Sequence, residues 1–312
     1  MIGIDFIGRL GNQMFTYAFM RCLIAQRQIK DERIIANFKR SLTGSDKEGF
    51  EDSLQYFNVL SYETDNTKDL VLSRGSIIQK ILYLFYMLCT RISFIYHHDT
   101  LMSFIDSYVD KYGILFSGAS DKARPVPSIY QKKLFIRGYF ADKANFDSIR
   151  PILLSEFTPK QAPLIQNTEL YKAIARTNSV CISVRRGDYL SKENKCNFFV
   201  CDEAYFQKAI SIICEKVESP TLIFFSDDIQ WVSEHIYYDD YPCFYETGTD
   251  PIWEKLRLMY SCHHFIISNS TFSWWAQYLG QREGKIVISP SRWFANRQWH
   301  SNLIDDDFIQ ID

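Results

Sequence analysis

Between residues 179 and 289 short, almost unbroken apolar runs alternate with amphipathic segments, and this rhythm restricts the fold more than any other feature of the chain. The runs are SVCISV (179–184), TLIFFS (221–226), HFIIS (264–268) and KIVIS (285–289), with a weaker one over 243–245. Between them, Phe206, Ile210 and Ile213 recur at helical spacing behind Asp202, a candidate N-cap, and Ile252, Leu256 and Met259 share another helical face. Strands that are apolar on both sides belong to a parallel sheet covered on both faces, which predicts a doubly wound α/β domain. Ligands of such sheets sit outside the carboxyl ends of the strands. Residues 185–188, 226–228 and 268–273 are therefore the first places to look for a site.

The first half is less regular. It opens with a strand, IGIDF, a glycine turn at Gly8 and Gly11, and a helix from about residue 12 to 26, whereas residues 40–75 are polar and read as loops. At 312 residues the chain is long enough for two domains, and prolines at 159 and 163 predict a boundary there, giving units 1–158 and 159–312. A composition 46% apolar and 23% charged excludes a largely disordered chain. The net charge of −2 gives no global attraction for nucleic acid, so any affinity for polyanions must be local. Eight cysteines without a C-x-x-C pair, several within apolar runs, fit reduced core residues of a cytoplasmic protein, and no signal peptide is read at the N-terminus. The run ILYLFYMLCT (81–90), between Lys80 and Arg91, is too short to span a bilayer. A buried helix is the expectation; the alternative, an interfacial helix peripheral at the inner membrane, suits its aromatics and flanking cations.

Each candidate motif has a plain reading beside its chemical one. In SVRRGDYL, Arg185 and Arg186 should face opposite ways, so one can meet a ligand while the other braces the loop. A guanidinium is a fixed cation with a fork suited to phosphate, but an Arg–Asp188 cluster could equally just tie the loop down. Adhesion through Arg-Gly-Asp fits poorly beside a buried strand. In GRLGNQMF, Gly11, Asn12 and Gln13 open a helix where amides could meet an anion or hydroxyls, or simply make a strand–turn–helix. Asp227 and Asp228 follow a strand, where one could read a ribose or a base edge and one could cap the next helix. Without a nearby histidine or third acid they make a thin metal site. In SNSTFSWW, hydroxyls and free amides of a helix start converge on an anion, and Trp274 and Trp275 fit packing better than a sugar platform.

Taken together, GRLGNQMF, SVRRGDYL, FFSDD and LMYSCHHFIISNSTFSWWAQYLG resemble the bacterial α-1,2-fucosyltransferases of glycosyltransferase family eleven. The resemblance implies a GT-B-like fold, with two Rossmann-like domains facing a cleft. It implies an inverting enzyme that carries L-fucose from GDP-fucose, its donor substrate, to the 2-hydroxyl of a terminal galactose in a glycan acceptor, with no metal or other cofactor. By the same resemblance Arg185 holds the donor's β-phosphate, Asp227 reads guanine, Asn269 and 270–272 (Ser270, Thr271, Phe272) line the pyrophosphate and fucose, and Asn12, with Gly11 and Gln13, faces the sugar from the first domain. Ser183 stands where related sequences commonly have a histidine, leaving a smaller polar contact to the nucleotide. Asp188 is the candidate general base; it could instead orient the arginines, with the base in the first half. Other acceptors or linkages, and a catalytically silent GDP-sugar-binding module, remain alternatives.

Overall fold

The computed structural model describes residues 1–27, 32–42, 50–96, 99–117, 131–187, 196–236, 240–296 and 301–312. The chain divides into two compact units, Met1–Gln55 with Val59–Glu156, and Tyr56–Asn58 with Phe157–Asp312. The division falls two residues before the one expected, and Tyr56–Asn58 joins the second unit, where Phe57 bridges Pro159.

In the first unit β1 (Ile2–Asp5) leads into α1 (Leu10–Arg27), β2 (Ile34–Asn37) and the short α2 (Lys39–Leu42). A two-residue β3 (Glu63–Thr64) and α3 (Leu70–Arg74) precede the long α4 (Ile77–Tyr96) and α5 (Asp99–Asp110); β4 (Ile114–Phe116), β5 (Leu134–Arg137) and α6 (Arg150–Glu156) complete the unit. The sheet order is β3-β2-β1-β5-β4, every pair parallel. The irregular-looking half is thus itself a five-stranded parallel α/β sheet. One face packs on Leu70, Tyr83, Tyr86, Ile105 and Val109 from α3, α4 and α5.

Helix α4 corrects the expectation of a buried helix over 81–90. Gln79, Tyr83 and Tyr86 face inward, while Ile77, Ile78, Ile81, Leu84, Phe85 and Leu88 are exposed. The inward choice is fixed by polar bonds: Gln79 Nε2 donates to the carbonyls of Tyr112 (2.8 Å) and Lys133 (3.0 Å), and the Tyr83 hydroxyl donates to Asp69 (2.5 Å). Among the described residues no helix is long and apolar enough to cross a membrane.

The second unit runs α7 (Thr168–Arg176), β6 (Asn178–Val184), α8 (Glu203–Lys216), β7 (Pro220–Ser226), α9 (Ile229–His235), β8 (Cys243–Tyr245), α10 (Ile252–Ser261), β9 (His264–Ile267), α11 (Thr271–Leu279), β10 (Val287–Pro290) and β11 (Ile309–Ile311). Its all-parallel sheet has the order β11-β10-β9-β6-β7-β8. Counted within the unit this is the 3-2-1-4-5-6 winding of a Rossmann sheet, with its reversal between β6 and β9. Alternation along β6 sends Val180, Ile182 and Val184 into the core shared with Phe206, Ile210 and Ile213 of α8. Ser179, Cys181 and Ser183 face the other way, where the Ser179 hydroxyl donates to the carbonyl of Ile174 on α7 (3.1 Å). Asp202 caps α8 by accepting from the Tyr205 amide, as its position predicts (3.0 Å).

Candidate active site

The reversal point gathers the ends of β6 and β9. Strands β6 and β7 are in register as far as Val184 opposite Ser226. Continued past the strand ends, that register sets Arg185 beside Asp227 and Arg186 beside Asp228, and the side chains follow it. Arg185 Nη1 lies 2.8 Å from Asp227 Oδ2, and Arg186 Nε lies 3.5 Å from Asp228 Oδ2. The two cations separate as alternation requires. Arg186 lies flat over the Trp231 ring, its guanidinium carbon 3.4 Å from the centroid, and so braces α9. Asp228 caps that helix by accepting from the Trp231 amide (3.3 Å). Arg185, on the other parity, keeps a fifth of its side chain open to solvent.

Asp227 also accepts the Arg186 amide (3.0 Å), which fixes its carboxylate under the loop. Gly187 makes this possible: a Cβ there would stand 2.3 Å from Asp227 Oδ2, closer than any side chain tolerates. Asp188 lies outside the described residues.

At the end of β9, Asn269 is buried and its amide donates to the carbonyls of Phe199 (2.8 Å) and Trp293 (2.7 Å). It pins two loops rather than presenting a polar group. Ser183 is likewise turned inward, its hydroxyl 2.6 Å from that of Ser273, which lies 3.4 Å from the Ser268 hydroxyl. This buried hydroxyl chain ties β6 and β9 to the first turn of α11. Ser270 precedes that helix in extended geometry (φ −120°, ψ 131°), and its side chain makes no capping bond. The opening amides of a helix lack partners within it, and Thr271 and Phe272 on this turn are partly exposed. Trp274 and Trp275 are fully buried and packed edge to face on each other, Trp274 stacked on Tyr278 and Trp275 edge to face on Tyr278 and Phe157, so packing is their role.

In the first unit the 8–12 turn leaves the end of β1. Gly8 adopts φ +74°, and a Cβ there would meet Asn12 Nδ2 at 2.5 Å. Helix α1 begins at Leu10, so Gly11 is in its first turn and buried, and Asn12 is partly exposed. Gln13 is fully buried: its amide donates to the carbonyls of Gly8 (3.0 Å) and Glu51 (2.8 Å) and accepts from the Ser53 amide (3.1 Å). It holds the turn and has its polar atoms committed to backbone.

Two arginines escaped the sequence reading. Arg137 ends β5 directly opposite Asp5 of β1 and donates Nε to it (2.7 Å), with Asp69 3.0 Å from Nη2 and the Phe116 ring 4.4 Å away. Burial opposes its charge, but the facing Asp5 carboxylate holds its pKa above the ordinary guanidinium value. Burial likewise works against ionised Asp69, yet the bonds from Tyr83 and Arg137 bring its pKa below the usual carboxylate value. The signal was an arginine closing an apolar strand ahead of glycine, the pattern of 184–187. Arg292 follows β10 and stacks on Phe199 at 4.1 Å, and its buried Nε has no hydrogen-bond partner among the described residues. Nothing local in the sequence marks it, since Phe199 is far away along the chain. No group of three or more His, Cys, Asp or Glu side chains among the described residues is placed to hold a metal ion.

The model of a family described as Glycosyl transferase family 11 matches residues 96–308. The O-antigen biosynthesis glycosyltransferase WbnK of Escherichia coli is 28% identical over 97% of this chain and 98% of its own length. An alpha-1,2-colitosyltransferase of Escherichia coli is 31% identical over 53% of this chain and 57% of its own. The mouse galactoside 2-alpha-L-fucosyltransferase Sec1 is 27% identical over 51% of this chain and 45% of its own.

Proposed function

This chain belongs to glycosyl transferase family 11, and from that premise we propose that it transfers L-fucose from GDP-fucose to the 2-hydroxyl of a terminal galactose, with inversion and without a metal ion. The observation that carries the reading is Arg185 at the reversal point of a Rossmann sheet, across from the open first turn of α11. The relatives named for α-1,2 transfer and for galactosides support the linkage and acceptor. The relative named for colitose makes the sugar the least constrained part.

In the reaction the acceptor oxygen attacks the anomeric carbon from the face opposite the diphosphate. As the carbon–oxygen bond to phosphate breaks, its electron pair collects on the leaving β-phosphate, and the sugar passes through an oxocarbenium-like state. Groups that meet this charge more strongly in the transition state than in the bound donor accelerate the step. Arg185 supplies a permanent cation, oriented by Asp227, and the amides of Thr271 and Phe272 supply fixed dipoles of the same sign. Asp227 therefore acts on the donor through Arg185, besides any contact to guanine. The acceptor proton passes to a carboxylate as attack proceeds, for which Asp188 is our candidate. We place the reaction in the cytoplasm, where the cysteines stay reduced.

The test is incubation with GDP-fucose and N-acetyllactosamine, with the product linkage read by NMR. A fucose on galactose O2, formed at a rate that chelator does not change, is expected. Transfer to another position would retain the donor and replace the linkage. Tight GDP binding with neither transfer nor donor hydrolysis across a galactoside panel would replace the enzyme by a binding module.

A further inference from the structure

Helix α4 is built with its aliphatic residues outward. Among the described residues, six of the large apolar side chains more than one-third exposed lie on α4: Ile77 (78%), Ile78, Ile81, Leu84, Phe85 and Leu88. Phe104 (72%) and Tyr108 extend the patch onto α5, which packs beside it. Their spacing puts the α4 residues on one side of the helix, a continuous stripe rather than scattered exposure. The helix cannot turn to bury the stripe without losing the bonds of Gln79 and Tyr83 described above. The outward face is therefore part of the fold's design.

We infer that this face is a docking surface for an anionic phospholipid bilayer, on which α4 lies flat. The stripe from Ile77 to Leu88 is about 16 Å long, half a bilayer core, which suits lying in the interface and rules out spanning. The charges select the occupant. Helix α4 carries no acidic residue, and its two cations, Lys80 and Arg91, lie on the same flank of the stripe. On α5 Asp110 is buried and Asp106 half-buried, so no described carboxylate of either helix is fully exposed, whereas Lys111 beyond α5 is exposed. An apolar stripe bordered by cations matches acyl chains bordered by anionic headgroups. A second copy fits worse: two-fold antiparallel pairing about the middle of the stripe brings Lys80 of one chain within about 9 Å along the axis of Arg91 of the other, with no acid on the helix to offset them.

The experiment is flotation of the full chain with vesicles of phosphatidylglycerol and phosphatidylethanolamine, and of phosphatidylcholine alone, at low and high salt. The variants are Ile77→Gln/Ile81→Gln/Leu84→Gln/Leu88→Gln and Lys80→Gln/Arg91→Gln. All six positions are outside the proposed transfer site, so turnover of a soluble acceptor and the unfolding midpoint serve as folding controls. Expected are binding to the anionic vesicles, a drop of about tenfold or more in the aliphatic variant, and a smaller, salt-dependent drop in the charge variant. Absence of binding by the native chain at low salt would overturn the inference, as would unchanged binding by the aliphatic variant. A native dimer that the aliphatic variant dissolves, and that ignores vesicles, would assign the face to a second copy instead.

Discussion

Each sheet sets an arginine against an aspartate by the same device, the register of neighbouring parallel strands, and puts the pair to a different use. In the first unit Arg137 and Asp5 stand opposite one another inside the sheet, with 9% and 7% of their side chains exposed. Asp69, Tyr83 and the Phe116 ring close around them. In the second unit Arg185 and Asp227 meet one step beyond the last paired residues, with 20% and 25% exposed. A single residue of register decides whether the cation is sealed into a brace or left partly open to solvent at a strand end. Sequence motifs do not report that step, because both arginines close an apolar run within two residues of a glycine.

The largest effect that would sharpen this contrast is on stability. Arg137→Ala strands the buried Asp5 carboxylate and should cost about 3–5 kcal/mol, read by urea unfolding. Arg185→Ala, at a wetter pair, should cost no more than about 1 kcal/mol. Equal losses would mean that both arginines are braces. Next in size, Arg185→Lys should keep the unfolding midpoint and lower turnover about 10²–10³-fold, since an ammonium cannot reproduce the fork that Asp227 orients. Turnover within about twofold of native would remove Arg185 from charge stabilisation. Smaller again, Gly187→Ala drives a Cβ into Asp227 and should lower kcat about tenfold by misplacing Arg185, with the donor's KM less affected. Its partner substitution Asp227→Asn tests the same link from the other side: a comparable loss is expected in both.

What could be read in advance follows the same line between backbone and side chain. The strands of the second unit were legible because burial on both faces makes each an apolar run, and even the short β8 showed. Strand β11, Ile309–Ile311, was missed because three residues with an exposed Gln310 between two isoleucines carry little signal. In the first unit β3 is the two exposed residues Glu63 and Thr64, which no hydrophobic pattern can reveal. Position after a strand singled out 185–188, 226–228 and 268–273, and of these 185–187, 226–228 and 268–273 follow the neighbouring strands β6, β7 and β9. It could not tell which polar residues there turn inward: Ser183 and Asn269 do, and so does Gln13 in the first unit, because their partners are backbone and hydroxyl groups distant in sequence. Helix α4 misled for the converse reason. Its tyrosines and Gln79 take the inward face through bonds to residues outside the helix, leaving the aliphatic residues outside.

The smallest expected effect separates the two units by pH. Half-buried His263 and His264 both have pKa values lowered from the ordinary imidazole value, chiefly by burial and, for His264, also by the neighbouring His263 charge. The geometry agrees: His264 Nδ1 accepts the Ile286 amide (3.2 Å), which requires a neutral ring at that nitrogen. Below the unfolded value of about 6.5 the unfolded chain binds protons that the folded one refuses. Their contribution is therefore complete above that pH and is lost as pH falls through the unfolded value toward the depressed folded ones. In the Arg137 cluster pairing raises Arg137 and lowers Asp69, while burial raises Asp5, whose contribution is lost as pH rises through its folded value and so does not decline on acidification. Urea unfolding between pH 8 and 5, followed by hydrogen exchange of β1 and β9 amides, should show protection falling first around β9. His264→Gln, which keeps an acceptor without the proton, should flatten that fall, and a parallel decline at β1 would show that the two sheets do not respond to acid separately.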